Sequence, residues 1–351
     1  MRGNRKRLGV CFVLLLAVCL AGGGCGKGTQ DGMDEGRGGS EDVSDREKGG
    51  AAKGRRDGDG DSGVLQEPTD AGEIPEPTDA GEIFEPTDAG RISEPTDASL
   101  ICEQGETIEE RFLVPDGYGR KKREQGTLTA FLREYPLKKA GKPVLLYDGS
   151  RKGNQSAHAA VLKLPIENED LQQCADSIMR VYAEYFWRTK QFEKISFSLG
   201  GGFQADYSKW RQGYTISVSG DTARWVPSSS SDGSYQSLKK YLRLVFAYSG
   251  TATMEGETKK IAREDIRVGD VFLKGGSPGH VVMVVDVCER EDGAKAFLLG
   301  QGYMPAQEFH VLKNPRHEED PWYYEEEVEY PFETPEYTFA RGSLRRLVYG
   351  E

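Results

Sequence analysis

A histidine that opens a hydrophobic strand, a glutamine that ends the next one, and a cysteine near a helix start are the residues of this chain best suited to chemistry. His280 follows the loop GGSPG and begins the run HVVMVVDV, while Gln301 closes the run KAFLLGQ. The segment EREDG between them is turn-forming, so the two runs read as an antiparallel hairpin, with GDVFL as a third strand before it. A turn at about Arg290–Glu291 sets His280 directly across from Gln301. An imidazole beside a carboxamide is a base with an orienting group, and such a pair serves a nucleophile. The candidate nucleophile is Cys174, in DLQQCADSIMRVYAEYFWR. A helix N-terminus stabilises a thiolate, whereas a Cys that is simply buried behaves as a small hydrophobe. The neighbouring amides of Gln172 and Gln173 are candidates for an oxyanion site.

Other groups compete for these roles. His158 follows the polar loop GNQS and is an alternative base, while His310 and His317 read as structural or solvated. The four His show no HExxH or HxH spacing, and the cysteines no CxxC spacing, so neither a metal nor another cofactor is expected. The loop GGGFQADYSKWRQG offers Tyr207, Trp210 and Arg211, which either stack on a sugar or pack on the sheet. With Gly279 of the GGSPG loop they form a candidate binding surface. A net charge of -11 argues against nucleic acid as a partner.

The elements that must position these groups alternate in type. RFLVPDGY, PVLLY, AAVLKL, Ile195–Leu199 and Tyr214–Val218 read as strands, and the tail TFARGSLRRLVY as a last one. TLTAFLREY reads as a helix capped by Thr127, and Ser234–Ser249 as a packing helix. The best helix runs from Asp170 to Arg188, with Leu171, Cys174, Ala175, Ile178, Tyr182, Tyr185 and Phe186 on one face. Asn168 or Asp170 can cap it. The expected fold is α+β: one domain over 102–351, an antiparallel sheet with packed helices. Cys102 and Cys288 supply no disulfide framework, and whether they pair is open.

What precedes the domain has a different character. Residues 1–25 join a basic start, an apolar run from Leu8 to Leu20 and small residues before Cys25. This resembles a bacterial lipoprotein signal, with Gly22 where Leu is usual, and it implies export and a lipid on Cys25 that holds the chain to the outer face of a membrane. An ordinary secretory signal is the alternative. Residues 26–66 are charged and Gly-rich, with nothing to bury, and are expected to be disordered. Residues 67–101 repeat EPTDAGEI every nine residues, a spacer rather than a solenoid.

The motifs YDGSRKGNQSAHAAVL, DLQQCADSIMR, ADYSKWRQGY, GDVFLKGGSPGHVVMVVDV and QGYMPAQEFHVLKNP resemble the bacterial DUF-4846 family of exported and lipid-anchored proteins, over about 111–323. That resemblance names no reaction. The order of a Cys on a helix N-terminus, a GD-containing strand, a His opening a strand and a polar residue on the next is also similar to papain-like cell-wall peptidases and amidases of the NlpC and CHAP type. It implies a papain-like fold with Cys174 as nucleophile, His280 as base and Gln301 as orienting group. It also implies peptide or amide bonds of peptidoglycan, or of another envelope component, as substrate. QQCAD stands here where those enzymes carry a DCSG- or QCT-like motif. The competing expectation is a non-catalytic surface lipoprotein that binds a glycan or a protein.

Overall fold

The computed structural model describes residues 99–350; the expectations for the signal, Cys25, the charged linker and residues 67–98 of the repeat lie outside the described residues, whereas Leu100 and Ile101, read as the end of the spacer, belong to the domain, with Ile101 bridged to Phe112 and the Leu100 carbonyl accepting from the Leu113 N–H at 2.8 Å. The frame is an antiparallel sheet. Its strands are β1 (His158–Val161), β2 (Thr258–Lys260), β3 (Val271–Lys274), β4 (His280–Arg290), β5 (Lys295–Gln301), β6 (His310–Leu312) and β7 (Leu344–Leu347). They lie in the order β1-β6-β5-β4-β3-β7-β2. The short segments Tyr118–Gly119 and Tyr323–Tyr324 add to the far ends of β4 and β5. The tail strand expected from SLRRLVY is β7, inserted between β3 and β2.

Strand alternation gives the sheet two apolar faces. Val281, Met283, Val285 and Leu298 join the core under the helices, with Ala175, Ile178 and Tyr182. Val282, Val284, Phe297 and Leu299 join a second core with Phe272, Phe332 and Phe339, closed by the C-terminal segment. The stacked rings of Phe272 and Phe332, 4.1 Å between centroids, lock that segment down.

On the first face lie α1 (Leu128–Arg133), α2 (Cys174–Arg188), α3 (Tyr235–Tyr248) and α4 (Thr251–Gly256). Thr127 caps α1 through its hydroxyl, as expected, and Ser234, at the start of the packing helix, caps α3 in the same way. Helix α2 differs from expectation. It begins at Cys174, with Gln173 as N-cap, and the Asp176 carboxylate reaches back to the Gln173 N–H at 3.1 Å. Asp170 instead accepts from the Ala306 N–H at 2.6 Å, so it ties the helix approach to the loop after β5. A Cβ on Gly302 would lie 2.1 Å from Ser177 Oγ; glycine there lets the first turn of α2 close against the end of β5.

Two expected strands are not strands. RFLVPDGY contributes a helical turn (Ile108–Arg111), a single bridge at Phe112 and the short Tyr118–Gly119 pair. PVLLY makes only isolated bridges, Leu145 to Arg151 and Leu146 to Gln307. In these runs Phe112 and Val144 are wholly buried, whereas Leu113 is exposed.

The hairpin register is displaced from expectation by two residues. Gly300 faces Met283, so Gln301 stands diagonal to His280 rather than opposite it, still on the same face. The ladder also shifts between Leu298 and Leu299: Leu299 faces Val284 while Leu298 faces Asp286, which leaves Val285 as an extra residue. The bulge turns Asp286 onto the helix face. There its two oxygens, fully buried, take the Nε atoms of Arg133, also buried, and of Arg120, partly exposed, each at 2.7 Å. Removing one partner of a buried ion pair strands the other charge. Asp286→Ala should therefore lower unfolding free energy by about 3–5 kcal/mol in urea denaturation; a loss below about 1 kcal/mol would show that solvent balances the two guanidiniums instead.

Candidate functional site

The polar side chains at the mouth of the sheet form one row on the face away from α2. His280 (β4), Gln301 (β5) and His310 (β6) are each buried, and His310 is the direct ladder partner of Gln301. Two loop residues complete the row. Lys152 comes from the loop before β1, and Glu336 from the turn between Phe332–Glu333 and Thr338–Phe339. Around them stand Tyr303, Tyr337 and Phe339, with ring centroids 4.5, 4.9 and 6.1 Å from that of His280.

The bonds run in sequence. His280 Nε2 lies 2.7 Å from Gln301 Oε1, and Gln301 Nε2 lies 2.7 Å from Glu336 Oε2. Glu336 pairs with the Lys152 ammonium, which also stands 3.3 Å from His310 Nε2. His310 Nδ1 lies 2.9 Å from the Glu308 carbonyl. A carbonyl only accepts, so His310 donates from Nδ1 and presents the Nε2 lone pair to Lys152. The Gln301 oxygen likewise only accepts, so His280 donates from Nε2. Its Nδ1 is left as a lone pair with no hydrogen bond among the described residues.

Burial governs the protonation of this row. It lowers the His280 pKa to about 4, against a smaller upward pull from the Gln301 bond and the Glu336 charge. Burial likewise lowers His310 and Lys152. For Glu336 burial pushes upward, but the contacts from His310 and Lys152 outweigh it and hold the carboxyl at about 2. His310 Nε2 stands 3.9 Å from the carboxylate, beyond hydrogen-bond length, so the lysine carries that stabilisation.

Cys174 opens α2 on the other face, in the core under the helices. The backbone N–H groups of Ala175, Cys174 and Val281 act in favour of the thiolate. Burial and then the Asp176 charge override them and push the thiol up to about 11. Among the described residues no hydrogen bond joins Cys174 to His280. Tyr303 lies tilted against His280, and burial, then the Glu336 and Cys174 charges, raise its own pKa. Asp176, buried with Oδ1 unpartnered, is pushed by burial to about 8.

The structure thus brings His280 and Gln301 into contact and sets Cys174 beside their strand mouth. The other sequence candidates are not bonded into the row. His158, on β1 and separated from β4 by β6 and β5, stands edge-on to the His310 ring, 6.2 Å between centroids, and donates from Nε2 to the Lys142 carbonyl at 3.2 Å. Gln172 is spent on Pro165 O and Arg180, and Gln173 on Asp170. Tyr207 is wholly buried, Trp210 Nε1 donates to Ser237 Oγ at 3.0 Å, and Arg211 lies over Phe192 at 4.1 Å. Of the two readings of that loop, packing is the one these contacts describe. Gly279 has no room for a side chain: a Cβ would stand 2.3 Å from Thr251 Oγ1. His317 meets Glu327 at the surface, but His310, expected to be structural or solvated, belongs to the row itself. Lys152 and Glu336 went unremarked in the sequence because 184 residues separate them. Cys102, Cys174 and Cys288 are free thiols.

No group of three or more metal-ligating side chains gathers among the described residues. No helix among them is long and apolar enough to cross a membrane. A family model described as a domain of unknown function (4846) matches residues 108–346, a span that contains both sheet faces and every residue of the row. No curated protein matches the chain, and no solved structure does.

The pH response follows from the signs. His280 folds with its pKa lowered from 6.5 to about 4, so the unfolded chain binds the extra proton between those values. That contribution is present above pH 6.5 and is lost as pH falls toward 4. By NMR titration His280 should remain neutral at about pH 5, and unfolding free energy should fall by on the order of 3 kcal/mol between pH 6.5 and 4. An imidazole half-protonated near pH 6.5 would contradict this burial.

Proposed function

Because the chain belongs to the DUF4846 family, whose description names no reaction, we propose its function from the site itself: a cysteine hydrolase with a papain-like constellation, acting on peptide or amide bonds of the cell envelope. The observation that carries this is the His280–Gln301 bond of 2.7 Å, which leaves His280 Nδ1 as a free base at the strand mouth where α2 begins with Cys174. A base held by a carboxamide on one nitrogen and open on the other is what a thiol nucleophile requires.

In this reading the resting pair is neutral, a thiol near 11 and an imidazole near 4. The thiol and the imidazole lie on opposite faces of the sheet, so in this reading they meet round the strand mouth and only in the substrate complex, where hydrogen bonds of catalytic groups often tighten. His280 Nδ1 takes the thiol proton as the sulfur bonds to the scissile carbonyl carbon. The carbonyl oxygen becomes an oxyanion next to N–H groups at the start of α2. The imidazolium returns the proton to the leaving amine as the C–N bond breaks, and water then hydrolyses the thioester with His280 again as base. Residues 1–25 support export and a lipid on Cys25, with 26–98 as the spacer that gives the domain reach to peptidoglycan.

A second reading, a surface lipoprotein that binds an envelope glycan or protein without cleaving it, is favoured by one specific observation. The thiol is strongly protonated and not hydrogen-bonded to the imidazole.

The two readings part on purified protein incubated with peptidoglycan fragments. For the hydrolase, Cys174→Ala abolishes release of cleaved products and removes one site of iodoacetamide labelling, and His280→Ala slows cleavage about 10²–10⁴-fold. Undiminished cleavage and labelling in Cys174→Ala would sink the enzyme. Binding of fragments without cleavage by the wild type would establish the second reading.

A further inference from the structure

We infer that Glu336 is a positioning residue: held by Lys152, its carboxylate orients the Gln301 amide and thereby selects the His280 tautomer whose Nδ1 is free. The inference deepens the hydrolase reading and rests on it for its functional meaning, but its physical content stands on the bond pattern alone.

The logic is one of donors and acceptors. An ammonium can only donate, and an ionised carboxylate can only accept. Lys152 and Glu336 are therefore fixed in role at one end of the row, both largely buried. Facing Glu336 Oε2 at 2.7 Å, Gln301 must present its NH₂ group, because an amide oxygen there would set two acceptors against each other. The Gln301 oxygen is then turned to His280, 2.7 Å from Nε2, and can be met only by an N–H. The proton sits on Nε2, and Nδ1 is left bare. His310 cannot undo this. Its Nδ1 is committed to the Glu308 carbonyl, so its Nε2, 3.4 Å from Gln301 Nε2, is one more acceptor that favours the same amide orientation. Without a defined acceptor at position 336, the amide could rotate by half a turn. His280 would then meet an NH₂ group, accept from it through Nε2 and carry its proton on Nδ1. That is the tautomer unable to serve a thiol.

Neither partner belongs to the hairpin that carries the histidine. Glu336 arrives on the C-terminal segment that closes the aromatic face, next to Tyr337, whose ring also touches His280. Lys152 arrives from the loop before β1. The tautomer of His280 thus depends on the C-terminal segment being docked.

Long-range ¹H–¹⁵N correlation spectra of the full chain read the tautomer directly, whether or not the protein is an enzyme. Wild-type His280 at neutral pH should show the Nε2–H pattern, and Glu336→Gln should lower the ratio of Nε2–H to Nδ1–H by about tenfold or more. Either an Nδ1–H pattern in the wild type or an unchanged pattern in Glu336→Gln would overturn the inference; the wild-type spectrum serves alone if the variant does not fold. Where cleavage is measurable, Glu336→Gln should lower kcat with little change in KM, whereas a purely structural defect would reduce active protein without touching the tautomer. The hydrolase reading is judged separately by Cys174→Ala, so a tautomer governed by Glu336 in a protein that cleaves nothing would sink that reading alone.

Discussion

A row of polar side chains buried in an aromatic sheet face has to satisfy itself, and most of what is distinctive here follows from that requirement. Lys152, Glu336, Gln301, His280 and His310 have few water molecules to fall back on. In such surroundings an unmet donor or acceptor costs far more than at the surface, and bonds between polar groups reinforce one another. The row is therefore directional: it begins at a group that can only donate and ends at an imidazole nitrogen with nothing to accept from. The same burial that makes the bonds obligatory depresses the basicity of His280 to about 4.

The site lies where the two faces of the sheet meet at the strand mouths. One face belongs to the helices, and the Val285 bulge brings Asp286 to it as the counter-ion for Arg120 and Arg133. The other belongs to the aromatic C-terminal segment that delivers Glu336. Helix α2 presents Cys174 from the first side, and β4 presents His280 from the second. Tyr303 stands at this mouth, its ring 4.5 Å from that of His280 between centroids. A thiol pressed into the helix core and an imidazole pressed among rings are each held neutral by the same cause, loss of solvent.

Legibility in the sequence tracked the range of the interaction involved. Hydrophobic period identified the hairpin, the long helix around Cys174, the packing helix before Ser249 and the tail strand, because each buries a face set by local alternation. Hydroxyl caps at Thr127 and Ser234 were equally local. The cap of α2 was not, since Gln173 is an unusual cap and Asp170 was drawn away by the Ala306 N–H. The register was displaced because the turn and the bulge depend on what packs beyond the hairpin. PVLLY and RFLVPDGY read as strands for their apolar content, yet no continuous edge was available to pair them. For Tyr207, Trp210 and Arg211 the sequence left stacking on a sugar and packing on the sheet both open, because contacts such as those of Trp210 with Ser237 and Arg211 with Phe192 are not encoded in local spacing.

Taken alone, the sequence determined that His280 and Gln301 would share a sheet face and that Cys174 would stand at a helix start, because periods of two and 3.6 residues are properties of the local chain. Only the tertiary structure decided that His310, Lys152 and Glu336 join them. Their meeting depends on loop and tail segments docking across 184 residues of intervening chain, and no local period encodes that. It also decided the protonation states. A pKa is set by solvent exclusion and by the nearest charges, and both exist only once the two faces have closed.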